Sequence, residues 1–216
     1  MTLYKDRQHC YDCYRPQSSC ICCAIKQLPT NATFVILMHK KEYRKTKNGT
    51  GHMTHLSLPN SHLFIGIDFS EHEALNALLK DQSVQPYLLY PTTDALNLSQ
   101  DVLKVKEGKR LLFILIDSTW PCSKKIIRLS KNLQKIPTVS FDTTQRSNFA
   151  IKTQPQDYCL STIETTHTIL QLLHDQGSEC ISDHAIKTFL KPFEAMVHYQ
   201  LESAKSSNIR YKPPSK

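Results

Sequence analysis

The chain has 216 residues, 40% of them hydrophobic and 21% charged, with 27 Lys and Arg against 19 Asp and Glu for a formal charge of +8. That length carries one well-packed domain with a small appendage, and the composition excludes a disordered or fibrous chain. The positive excess favours a polyanionic partner, nucleic acid ahead of an anionic membrane surface.

No apolar run approaches the roughly 20 residues that span a bilayer, and the opening MTLYKDRQHC lacks the apolar core of a secretory signal. A cytoplasmic protein is expected. In that reducing compartment, eight cysteines argue for metal binding or burial rather than disulfides.

Residues 1–30 are Cys-rich and short of apolar side chains. Cys10 and Cys13 form a C-x-x-C knuckle, and Cys20 and Cys22 follow, with Cys23 adjacent. Two close thiol pairs can close a tetrahedral zinc site, which would fold a segment too small to bury its own core. A redox C-x-x-C normally opens a helix after a strand, and no strand precedes Cys10. The fourth ligand is Cys22 or Cys23, with Cys22 favoured. Four Cys ligands leave no open position, so the zinc is expected to be structural.

Residues 34–38 (FVILM) read as the first core strand, ending at His39. The basic stretch KKEYRKTKNGTGHMTHLSLPNS after it reads as a long loop over the working edge. Residues 63–67 are a second strand, and SEHE at 70–73 has capping-box spacing for a helix. Residues 87–90 are a third strand, closed by Pro91, and 92–109 read as a polar loop with a helical turn.

The apolar run 111–116 (LLFILI) suits a strand buried on both faces. Asp117-Ser118-Thr119-Trp120 follows it, carrying the chain's only Trp. In open α/β sheets, ligands bind outside the carboxyl ends of the strands. Pro121 suits a first helical turn. Ile126, Ile127, Leu129, Leu133 and Ile136 supply an apolar stripe to the helix beyond, and Lys124, Lys125, Arg128, Lys131 and Lys135 supply its charge.

Residues 138–141 are a fifth short strand, and 142–160 a long polar loop. Ser161-Thr162-Ile163-Glu164 is a second capping box, opening a helix to about Asp175 with Gly177 as a stop. A last helix begins near Ser182 and kinks at Pro192. The alternation of strands and helices over 34–180 predicts an α/β fold with a mainly parallel sheet flanked by helices. There is no G-x-G-x-x-G and no GK[ST] loop, which argues against a P-loop NTPase or a standard dinucleotide-binding domain. The expected divisions are a zinc-binding segment (1–30), a catalytic domain (31–202) and a basic tail (203–216).

Five of these stretches, in order, resemble the DTW-domain family of tRNA-uridine aminocarboxypropyltransferases, relatives of the SPOUT class of S-adenosylmethionine enzymes. The paired cysteines with Arg15-Pro16 between them are similar to the family's. So are His39, Glu42, Arg44, Asn48 and Thr50 after the first strand, Leu89-Tyr90-Pro91 after the third, DSTW with Lys124-Lys125, and Leu160-Ser161-Thr162 with Glu164. The chain departs at Ser118, where the family usually has Gly, at Lys40, where it has Pro, and at Lys152, near which it has Arg. Lys cannot reproduce a bidentate Arg fork.

The resemblance implies transfer of the 3-amino-3-carboxypropyl group of S-adenosylmethionine to N3 of a tRNA uridine, on a SPOUT-like fold with a C-terminal knot. It places the donor pocket at Leu89, Tyr90, Pro91, Ile116, Leu160, Ser161 and Thr162. It implies RNA contacts at His39, Arg44, Asn48, Thr50, Lys124, Lys125, Arg128 and Lys152. Asp117 is then either the base for the N3 proton or a cap on the next helix. Thr119 could bond the uracil edge or the donor carboxylate. Trp120 could stack on a flipped base or wedge between helix and sheet. The partner expected is tRNA, without membrane or DNA. A SPOUT-like RNA methyltransferase and a non-catalytic zinc-stabilised RNA-binding module are the alternatives.

Overall fold

A computed structural model describes residues 8–43, 49–143, 147 and 160–205. Its centre is a six-stranded sheet in the order β2-β1-β5-β3-β6-β4, from β1 (Thr33–His39), β2 (Ser61–Gly66), β3 (Val84–Leu89), β4 (Leu96–Asn97), β5 (Arg110–Asp117) and β6 (Thr138–Ser140). Every pairing is parallel. Helices α1 (Lys40–Tyr43), α2 (Thr50–Ser57), α3 (Glu73–Lys80), α4 (Trp120–Leu129), α5 (Thr162–Asp175), α6 (Asp183–Phe189) and α7 (Lys191–Lys205) surround it. None of the helices among the described residues is long and apolar enough to cross a membrane.

The two central strands divide their side chains between two cores. Phe34 and Ile36 of β1 join Phe113 and Leu115 of β5 on one face, with Met53 of α2, Ile163, Ile169, Leu170 and Leu173 of α5, and Phe193 of α7. Val35 and Leu37 join Leu112 and Ile114 on the other, with Leu75 of α3 and Ile126 of α4. A strand alternates its side chains between faces, so a run that is apolar at every position needs both faces covered, as α/β layering provides. Cys13, Ile21 and Leu28 of the N-terminal segment sit in the first of these cores.

β1 and β5 are neighbours in register, Met38 opposite Asp117. Their outgoing connections part there, because α2 after β1 packs on one face and α4 after β5 on the other. This divergence creates the crevice where open α/β sheets bind ligands.

Several expected elements differ. The stretch after His39 is not a plain loop but carries α1 and α2, with Met53, Thr54 and Ser57 buried. α2 is disguised because its buried polar groups are satisfied internally: Thr54 Oγ1 donates to Thr50 O (2.8 Å) and Ser57 Oγ to Met53 O (2.9 Å). His72, not Ser70, caps α3, its Nδ1 accepting Leu75 N–H at 3.2 Å. Ser70 Oγ instead donates to Leu129 O.

The third strand begins earlier than expected and includes Pro86. Leu88 and Tyr90 send their N–H groups toward β6, to Pro137 O and Val139 O. Pro86 has the same parity, and β6 pairing starts only at Leu88, so its missing N–H leaves no gap in a ladder. Residues 92–109 carry the two-residue edge strand β4 against β6.

α4 stops at Leu129 rather than running through the whole apolar stripe, and Leu133–Lys135 is a separate 3-10 turn. The last helix is broken into α6 and α7 around Leu190, just before Pro192. The C-terminal knot is implied by the resemblance alone, and residues 144–146 and 148–159, between β6 and α5, lie outside the described residues.

Candidate active site

Asp117 ends β5 inside the crevice. Thr162, the first residue of α5, donates its Oγ1–H to Asp117 Oδ1 at 2.7 Å. On the other side Gly51, in the first turn of α2, lies so close that a Cβ there would overlap Asp117 Oδ2 and stand 2.7 Å from its Cγ. The carboxylate is therefore set between the amino ends of α2 and α5, where the helix dipoles favour an anion. The N-cap position of α4 belongs to Thr119 rather than to Asp117. The Thr119 carbonyl accepts Ser123 N–H at 2.8 Å, and its side chain makes no cap bond.

α5 is placed by its own capping box. The Glu164 carboxylate accepts Ser161 N–H (2.9 Å) and Ser161 Oγ–H (2.6 Å), and Ser147 Oγ–H at 2.7 Å. Leu160, Ser161 and Thr162 thus reach the crevice as a rigid entry to a helix. Trp120 opens α4 and is 38% exposed, so it is not wedged between helix and sheet. Its ring meets Tyr90 beyond β3, centroids 6.1 Å apart at 57°. Ile116 sits beside Asp117, opposite Leu37, and Leu89 pairs with Val139. The residues assigned to the donor pocket all lie on this carboxyl edge.

The expected RNA contacts divide. Lys124, Lys125 and Arg128 are exposed on α4. His39, at the end of β1, and Thr50, at the start of α2, are buried, at 4% and 6% exposure. His39 Nδ1 accepts Lys41 N–H at 3.1 Å. Burial first, then the charges of Lys41 and Lys125 against that of Glu42, lower its pKa, so the ring is neutral with its proton on Nε2. Arg44, Asn48 and Lys152 lie outside the described residues.

The Sγ atoms of Cys10, Cys13, Cys20 and Cys22 all lie within 4.8 Å of one another. Cys10–Cys22 and Cys13–Cys20 are separated by 3.6 and 3.8 Å. Zinc–sulfur bonds of about 2.3 Å in a tetrahedron require sulfur–sulfur edges of about 3.8 Å, so the four fit zinc. Cys23 is exposed and outside the group. Arg15 is buried beside the four-sulfur group, 4% exposed, and its Nη2 makes no hydrogen bond to the described residues. Burial depresses its pKa, while Cys13, Cys20 and Cys22 oppose that effect. A buried cation there suits the surplus negative charge of four thiolates around one divalent ion.

Gly51 is the residue of this site that sequence reasoning passes over. It falls within a stretch that reads as loop, although a chain with five glycines uses each sparingly. Tyr14 carries no sequence signal either, and its ring stacks on His52 of α2 at 5.2 Å.

Known proteins resemble this chain over most of its length. It is 30% identical over 204 residues to tRNA-uridine aminocarboxypropyltransferase 2 of Drosophila melanogaster, covering 91% of this chain and 76% of the fly protein. It is 28% identical to the Mus musculus protein of the same name, spanning 91% of this chain and 64% of the mouse protein. It is 23% identical to tRNA-uridine aminocarboxypropyltransferase A of Arabidopsis thaliana, over 80% and 75% of the two chains. No solved structure matches significantly. A family profile described as DTW domain matches residues 7–201, and the chain belongs to the DTW-domain family.

Proposed function

We propose that this protein is a tRNA-uridine aminocarboxypropyltransferase that moves the 3-amino-3-carboxypropyl group of S-adenosylmethionine to N3 of a tRNA uridine. The observation that carries the reading is the match of nearly the whole chain to relatives bearing that name. Asp117 at the crevice supplies the chemistry they need. The N3–C bond forms as the C–S bond breaks, the electron pair passes to sulfur, and neutral methylthioadenosine leaves. The N3 proton goes to a base. Asp117 is that base, held by Thr162 and Gly51. Choice of the carboxypropyl carbon over the methyl is geometric, set by which C–S bond lies in line with N3.

The donor lies along Leu89–Pro91, Ile116 and Leu160–Thr162, and the half-exposed Trp120 stacks on the uracil. N3 is on the pairing edge, so the uridine must be unpaired or extruded. Thr119, exposed beside Trp120, offers a hydroxyl to the uracil edge or the donor carboxylate. Lys124, Lys125 and Arg128 hold phosphates, which positions RNA without reading sequence. Zinc held by Cys10, Cys13, Cys20 and Cys22 is structural, since four thiolates leave it no open position.

The test is to incubate protein, S-adenosylmethionine and unmodified tRNA and to analyse the nucleosides by mass spectrometry. The expected product is acp3U with an equivalent of methylthioadenosine. A methyl-sized mass increase with S-adenosylhomocysteine would mean a methyltransferase. Intact S-adenosylmethionine with every tRNA would remove the enzymatic reading.

A further inference from the structure

Asp117 is placed by a weak piece of helix. Gly51, which meets its carboxylate, lies in the first turn of α2. The N-cap of that turn is Gly49, which has no side chain to satisfy the free amides. Its first bond, Met53 N–H to Gly49 O, is long at 3.4 Å. Glycines at 49 and 51 add backbone freedom that a helix must give up, and eight residues are too few for a helix to stand alone. The core holds one side of the turn, through Met53. The other side carries His52.

The zinc knuckle lies against that other side. The Tyr14 ring stacks on His52, one residue after Gly51, with centroids 5.2 Å apart and planes at 28°. Burial, then the charges of His55 and Arg15, hold the His52 ring uncharged, so two neutral rings meet. Tyr14 is the one non-glycine with positive φ among the described residues, at 55°. A bulky residue keeps that conformation only where its surroundings impose it. The knuckle imposes it: Tyr14 N–H donates to Cys10 O (2.9 Å), and Cys10 N–H to Arg15 O (2.8 Å).

The same segment also reaches the far end of α2, where Leu28 N–H donates to Ser57 O at 2.9 Å. That bond satisfies a carbonyl of the last helical turn. Both ends of α2 are therefore tied to the N-terminal segment, the last turn by a backbone bond and the first by an aromatic ring.

We infer that the zinc knuckle is a positioning element of the active site: Tyr14, stacked on His52, fixes the first turn of α2 and with it the place of Gly51 against Asp117. The four cysteines serve the reaction by shaping the knuckle, with no ligand position given to substrate. The inference rests on the proposed function in taking Asp117 as the base.

The test uses the full zinc-loaded chain and variants that separate ring from backbone. Tyr14→Gly removes the ring while suiting the positive φ, Tyr14→Phe keeps the ring, and His52→Ala removes the stack from the α2 side. Measured are kcat, KM for unmodified tRNA, Kd for S-adenosylmethionine, zinc per chain, and hydrogen exchange at the Met53 amide. Tyr14→Gly and His52→Ala should each lower kcat by about tenfold, the upper scale of one aromatic pair. Exchange at Met53 should quicken on the same scale, with KM, donor affinity and zinc content at wild-type values. Tyr14→Phe should match wild type, and the double variant Tyr14→Gly/His52→Ala should fall no further than the worse single variant.

Wild-type kcat in both single variants, with wild type making acp3U, overturns the inference and leaves the function standing. Losses that multiply in the double variant also overturn it, because the two rings would then act separately. So does a raised KM at unchanged kcat, which would make them RNA contacts. Exchange reads the brace without catalysis: quickened exchange in a wild type and variants that make no acp3U keeps the brace and removes the enzymatic reading, and unchanged exchange overturns the brace. If Tyr14→Gly loses zinc, His52→Ala, outside the knuckle, decides alone.

Discussion

Thr162 Oγ1 donates to Asp117 Oδ1 at 2.7 Å across 45 positions of sequence, locking the end of the central strand to the start of α5. The bond has a free-energy scale of about 1.5–3 kcal/mol, as expected for a hydrogen bond to a charged group. Thr162→Val keeps the shape and removes the donor. The expected result is a fall in kcat of about tenfold or more with little change in KM for tRNA. Thr162→Ser should recover most of the activity. Equal activity in the valine and serine variants would show that the bond does not orient the base.

Gly51 makes the complementary case. A Cβ there must displace the Asp117 carboxylate, which is the end of a short side chain and can swing away without unfolding the protein. Gly51→Ala should therefore fold, with Tm lowered by no more than Thr162→Val lowers it, yet lose about a hundredfold in kcat, the scale of an ångström-sized misplacement at a reacting group. Thermal melts beside single-turnover rates decide it. An active, normally folded Gly51→Ala would mean that the position of Asp117 does not matter to the chemistry.

The zinc assignment separates two adjacent cysteines. Cys22 lies in the four-sulfur group and Cys23 outside it. Cys22→Ser should lose bound zinc and lower Tm, because Cys13, Ile21 and Leu28 anchor the segment in the main core. Cys23→Ser should retain one zinc per chain and melt as wild type does. Metal analysis of the two purified variants is the measurement, and the reverse pattern would move the fourth ligand.

What sequence can reveal follows the range of its signals. Residues 34–38 and 111–116 are legible as buried strands because every position is apolar, and the structure splits them between two cores. The second capping box is legible because its spacing is local, and Glu164 binds Ser161 as that spacing requires. α2 is not, since its helix is built on Thr and Ser bonds to the preceding turn rather than on an apolar stripe. The first capping box misleads because Ser70 commits its hydroxyl to Leu129. Gly51 against Asp117 and Tyr14 on His52 are tertiary contacts, and no local pattern encodes them.

Lys124, Lys125 and Arg128 are exposed along α4 beside the crevice. Each phosphate they neutralise releases counterions, so tRNA affinity should fall steeply with salt. Replacing all three by Gln should weaken binding to every tRNA alike. It should also flatten the plot of log Kd against log salt, by about one unit of slope for each phosphate no longer neutralised. Filter binding over a salt series measures this. An unchanged slope would put the phosphates elsewhere on the molecule.

Acid should destabilise the fold through its buried histidines. His39, His55 and His167 all have pKa values below the ordinary 6.5, with burial the leading cause in each. Between that lowered value and the unfolded one, the unfolded chain binds more protons, so stability rises with pH. The contribution is complete above about pH 6.5 and is lost as pH falls toward the folded values, at about 1.4 kcal/mol per unit of separation for each ring. Tm should be flat from about pH 8 to about pH 7 and then decline toward about pH 5. His167→Gln removes one titrating ring from α5 and should shallow that decline, even if it lowers Tm at neutral pH. A decline of undiminished steepness in that variant would place the acid sensitivity in other groups.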